Sequence, residues 1–198
     1  MPAKLSDFWT WFVEHEASLR TAPGGAAPDQ IEAKLREIDP RLGCELSEPG
    51  ERRELILTAW SQAPAFPIVR ELAAAAPKEQ LANWRITALK PARGFRFAIN
   101  IDGLQVDATK LMFHALTSPQ APALLGLRIY VTGAPPTDER WSRILPLILE
   151  TGLGEELAAQ ISNLQPAAGP PPDDQALRLD ELPEFIEWFR SGGLNQKA

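Results

Sequence analysis

The residues best suited to chemistry are few and scattered. Lys90, Arg93 and Arg96 form the densest positive cluster of the chain, within ITALKPARGFRF. Ammonium and guanidinium groups at that spacing suit a carboxylate or phosphate, which arginine grips with a planar fork of donors. The plainer reading, a solvated loop with surface ion pairs, is favoured. His114, in KLMFHALTS, has Asp107 and Lys110 near it in sequence. An imidazole with a carboxylate to fix its tautomer is the minimum of a general acid–base pair. Here too the plainer reading prevails, a half-buried ring on an apolar element, because no nucleophile motif accompanies it. Lys90, Arg93, Arg96, Asp107 and His114 are therefore the candidate ligand-binding residues, and no residue is assigned a catalytic role.

Other chemistries find less support. His15 flanks the apolar stripe of the first helix. Cys44 is the single cysteine, with no CxxC partner, and reads as a small buried apolar residue. Two distant histidines and one cysteine supply no metal-ligand spacing, so no metal is expected. Asp102 and Asp107 could face magnesium, but aspartates near a hairpin are more often turn formers. Neither GxGxxG nor GxxxxGK[ST] occurs, and no cofactor is expected. Trp11 and Trp188 lie off or at the edge of the inward helical faces, which makes them interface candidates.

Composition narrows the setting. The chain has 198 residues, a net charge of −6 and a pI near 5.1. An acidic balance argues against non-specific binding to nucleic acid or anionic membranes. No apolar run approaches transmembrane length and the N-terminus lacks a signal-peptide core, so the expected location is cytoplasmic. Another protein is the expected class of partner, and oligomeric state is left open.

The elements that must position these residues follow from period and punctuation. Leu5, Phe8, Trp9, Phe12 and Leu19 share one helical stripe, with Ser6 as the expected N-cap. Asp29 caps a second helix that stops before Pro40. Residues 42–47 read as a strand, in a hairpin with the run at Leu55. From Glu54 to Phe95 the pattern is strand, helix, strand, the form of a crossover between parallel strands. Phe95, Phe97 and Ile99 alternate as a strand, and Asp102-Gly103 is a strong hairpin signal into residues 104–107. Residues 108–116 suit either a short helix or an irregular strand. A strand at 127–132 leads to a helix with Asp138 as N-cap, Pro146 inside it and Gly152 and Gly154 at its end. A strand at 161–164 follows. Residues 166–178 read as an exposed proline-rich loop, Asp180 caps a last helix, and residues 191–198 form a flexible tail.

LRIYVTG…QISNLQPA echoes ELILTAW…WRITALKPA, which suggests two βαβ-like units. The expected fold is a single α/β domain spanning 1–198, with α+β as the alternative. One mixed sheet of about six to eight strands would carry helices on its faces.

The pattern FWTWF … ELILTA … WRITALKPARG … ILETGLGEE … LDELPEFI resembles an uncharacterised bacterial α/β family. The resemblance covers most of the chain through the order and spacing of these motifs. It implies an α/β fold and a bacterial cytoplasmic origin, and it transfers no catalytic residue. The functional expectation is a non-catalytic binding or interaction protein. The alternative is a small enzyme or ligand-binding domain that takes an anionic molecule at the Lys90–Arg93 turn.

Overall fold

The computed structural model describes residues 2–22, 25–172 and 175–192. The fold is α/β with mixed sheets, and the strands of the described residues fall into three sheets rather than one. Where the sequence reads as a single domain, contacts divide the chain into two compact units, Met1–Lys90 and Pro91–Ala198. Each unit buries its own apolar faces, which is why one continuous sheet is not needed.

In the first unit, α1 (Pro2–Thr21) and α2 (Ala26–Ile38) precede β1 (Gly43–Leu46), β2 (Arg53–Thr58), α3 (Phe66–Ala74) and β3 (Trp84–Ala88). β1 pairs antiparallel with β2, and β2 pairs parallel with β3 through the α3 crossover. The expected stripe holds: Leu5, Phe8, Trp9, Phe12 and Leu19 are all buried. Phe12 meets Trp84 edge-on at 4.9 Å, and Trp9 Nε1 donates to the Leu72 carbonyl at 2.9 Å. Each such large side chain removed from water contributes about 1.5–3 kcal/mol. Buried Arg53 donates to the Leu19 and Ser47 carbonyls and ties the end of α1 to β2. Two expected caps lie inside helices instead. α1 begins at Pro2, before Ser6, and Asp29 sits in the first turn of α2, its N–H donating to the Gly25 carbonyl.

In the second unit, β4 (Ala98–Ile101) and β5 (Leu104–Asp107) form the expected hairpin. Asp102 and Gly103 both take left-handed backbone, at φ 49° and 78°, as a two-residue turn of this kind requires. The strand expected from Phe95 begins only at Ala98, because Phe95 is buried outside any sheet. A 3-10 turn at Ala108–Lys110 leads to β6 (Met112–Leu116), so the ambiguous stretch contains both a helical turn and a strand. Then come β7 (Leu125–Val131), α4 (Trp141–Leu153), α5 (Glu155–Ala158), β8 (Ile161–Ala168), β9 (Leu177–Arg178) and α6 (Leu182–Arg190). The sheet order is β8-β7-β6-β9, with β7 and β8 parallel and the other pairs antiparallel. Phe113, Leu127, Ile129, Trp141, Ile144 and Ile186 share the core between this sheet, α4 and α6.

Four local expectations change here. β8 continues through Pro166 to Ala168 and β9 occupies 177–178, so the two ends of the expected loop at 166–178 are strand; positions 173 and 174 lie outside the described residues. Gly152 is inside α4 and not at its stop: a Cβ there would stand 2.1 Å from the Phe95 ring. Gly154, at φ 77°, is the cap. Asp138 precedes the Arg140 cap, and Asp180 lies in a 3-10 turn before α6; each carboxylate is held by an arginine two residues away. Of the expected tail, Ser191 and Gly192 close α6 through bonds to the Glu187 and Phe189 carbonyls, and the rest lies outside the described residues.

Candidate functional site

The carboxyl ends of β2 and β3 lie together, because the two strands are parallel. Ligands commonly bind at this end of such strands. At the end of β2, Thr58 is fully buried and its hydroxyl accepts the Trp60 N–H at 3.0 Å. That bond helps hold Trp60 and Ser61 in left-handed backbone, at φ 52° and 59°. Past β3, the Leu89 N–H extends the ladder to the Leu57 carbonyl, and Leu89 is itself left-handed at φ 62°. None of the three is glycine, and left-handed backbone costs a side-chain-bearing residue roughly 1–2 kcal/mol.

Lys90 follows directly. It is buried, its Nζ pairs with Glu45 Oε1 at 2.9 Å, and the same ammonium lies 4.1 Å from the Trp60 ring centroid. The Trp60 indole rests on Gly43, where a Cβ would stand 2.3 Å from Nε1. Even so, Trp60 is 42% exposed. The result is a strained edge that presents an aromatic ring beside an ion pair. Glu45, Trp60 and Gly43 had not been singled out from sequence. The one signal in the sequence is that Trp60 closes an apolar run just before the turn-type residues 61–64.

The other candidates belong to the second unit. Arg93 and Arg96 are exposed, with no ion pair described for either. The Arg93 and Gly94 N–H groups donate to the Thr151 and Gly152 carbonyls, which anchors the backbone and leaves the side chain outward. Asp107 accepts from the Thr109 N–H and hydroxyl and reaches Lys110 Nζ at 3.4 Å. The Thr109 bonds, then Lys110, hold its carboxyl below the ordinary range. His114, on β6 opposite Arg128, has its Nδ1 2.9 Å from the Tyr130 hydroxyl. The carboxylate expected near His114 is thus spent on the 3-10 turn, and Tyr130 is the ring's neighbour.

Trp11 is half-buried and stacks on His15 at 5.1 Å. Trp188 is 38% exposed and leans on Phe185, which reaches the core through Phe113. Burial pushes the Cys44 thiol up to about 12, as suits a small core residue. Among the described residues, no group of three or more histidine, cysteine or carboxylate side chains is placed to hold a metal. No described helix is long and apolar enough to cross a membrane. No protein-family model, curated protein or solved structure matches this chain.

Proposed function

We propose that this protein is a non-catalytic interaction protein of the bacterial cytoplasm, and that it recognises another protein through the carboxyl edge of β2 and β3. The bacterial setting rests on the sequence resemblance described above. One observation carries the binding reading: Trp60, a large aromatic, is 42% exposed on backbone that disfavours it. Strain of this kind persists at ligand clamps, and tryptophan is prominent among residues that dominate binding energy. The test is affinity purification of the tagged chain from its own bacterium, with Trp60→Ala beside it. Recovery of the partner is expected to fall by about tenfold or more, the effect of losing one hot-spot side chain. The variant's circular dichroism and melting should stay unchanged. Equal recovery with Trp60→Ala removes this edge from the account.

A second reading, an anionic small molecule at the Lys90–Arg93 turn, is favoured by the exposed guanidinium groups of Arg93 and Arg96. Lys90 is already engaged by Glu45. Saturable phosphate binding that disappears in Arg93→Ala would support this reading over the first.

A further inference from the structure

Among the described residues, the second unit's four-stranded sheet ends on β8, one side of which has no strand beside it. The Gly169 N–H donates to the Val131 carbonyl at 3.1 Å, and this bond sets the phase of the strand. Counting back by two, the backbone groups of Ala167, Gln165 and Asn163 turn towards β7. Those of Leu164, Pro166 and Ala168 turn outward. Pro166 has no N–H to lose and falls on the outward phase, where the existing ladder is undisturbed. Edges are usually blunted by shortness, charge or proline. β8 has eight residues, ISNLQPAA, with no charge among them; only the proline is present.

The same outward residues aim their side chains towards α4. Leu164 is in register with Leu127 and Pro166 with Ile129, and both partners are core residues. Between strand and helix lies a groove of about 380 Å³, lined by Leu164 and Pro166 on β8 and by Trp141, Leu145 and Pro146 on α4. A volume of this size can hold a bulky side chain. Ser142 is also at the groove, and Pro146 deprives its carbonyl of the usual helical donor. Asp138 and Glu139 stand at the groove too. Asp138 is engaged by Arg140, whereas Glu139 is exposed and has no ion pair described.

We infer that this edge and groove take an extended segment of a partner protein, added to the sheet alongside β8. The outward N–H and C=O groups match the backbone of a strand. The groove accepts an apolar side chain, and Glu139 favours a lysine or arginine at that end. Edge strand and groove divide the work, with backbone bonds supplying affinity and the groove supplying selectivity. This goes beyond the Trp60 reading: it lies in the second unit and uses none of the same residues.

The test titrates acetylated, lysine-led hexapeptides, alternating threonine with valine, leucine or phenylalanine, into the full chain. Amide hydrogen exchange at Leu164 and Ala168 is followed by NMR. Both amides are expected to gain protection with the best peptide. N-methylating that peptide on its edge-facing amides should weaken binding by about tenfold, as should Glu139→Lys. Trp60→Ala should bind the peptide unchanged, which separates this assignment from the first. No protection with any peptide, or equal affinity after N-methylation, overturns it. Protection that appears without peptide and grows with protein concentration places a second copy on the edge and overturns it as well.

Discussion

Both units contain the same four-element path: a strand, an antiparallel neighbour, a helix, and a third strand parallel to the second. β1, β2, α3 and β3 trace it in the first unit, and β6, β7, α4 and β8 in the second, where the short α5 is added between α4 and β8. The turn after the central strand differs between them. Two residues past β7 the chain has Gly133, left-handed at φ 90°. Two residues past β2 it has Trp60, left-handed at φ 52°, followed by Ser61 at 59°. Glycine makes that backbone at little cost, whereas tryptophan and serine do not. The two units also share a glycine beneath an aromatic ring. Gly152 receives Phe95, which is buried, and Gly43 receives Trp60, which is not. In the second unit the turn needs no side chain in left-handed backbone, and the ring is buried. In the first the two features hold an aromatic ring at the surface against local preference, which is the physical basis for the recognition proposed at this edge.

The two units should differ most at the glycines. Gly152→Ala should lower stability by about 1–3 kcal/mol, because a Cβ at 2.1 Å must displace a buried ring. Gly43 is buried too, but a Cβ there meets a partly exposed indole that can swing aside, so Gly43→Ala should cost less, about 1 kcal/mol or below. Denaturant unfolding of the two variants checks this, and Gly43→Ala should also change the Trp60 fluorescence. Similar losses at both positions would mean that Trp60 is as firmly packed as Phe95.

Next in size are the turns. Ser61→Gly should stabilise the protein by up to about 1 kcal/mol, the left-handed strain relieved less the added freedom of glycine when unfolded. Gly133→Ala should destabilise by about 1 kcal/mol or more, since alanine does not. Thermal melts of the pair test the opposite signs. If Ser61→Gly gains stability and loses partner recovery together, strain at this edge and binding are linked.

The smallest effect is electrostatic. Asp39 in the first unit and Asp138 in the second each accept from an arginine two residues on, and each carboxyl is held at about 2. Both lie below the ordinary value of 3.8. A depressed folded value means the charged form is favoured on folding. The contribution is therefore complete above about pH 4 and fades as pH falls towards 2. Asp39→Asn and Asp138→Asn should each flatten the acid limb of a stability–pH curve between pH 4 and 2. A steeper limb in either variant would contradict the assignment.

Much of the architecture was legible in local chemistry. Trp84–Ala88 alternates as β3 does, Asp102-Gly103 makes the turn it signals, and the α1 stripe is buried. Helix starts were read less well, because Ser6 and Asp29 have cap chemistry but sit inside helices whose starts lie earlier in the chain. Residues 166–168 carry loop-like composition and still form strand, because an edge position tolerates Pro166. Of the candidate site, Lys90 was visible as a charge in a turn. Its pairing with Glu45 depends on β1 and β3 flanking β2, and the exposure of Trp60 depends on a turn made without glycine.

The sequence by itself determined the type and order of most elements, since period, proline, glycine and turn dipeptides act within a few residues. Three things came from contacts across the fold: the division at Lys90, the edge position of β8 among the described strands, and which groups meet Lys90. All three depend on strand order and on which apolar faces close on each other, and those are properties of residues far apart in the chain.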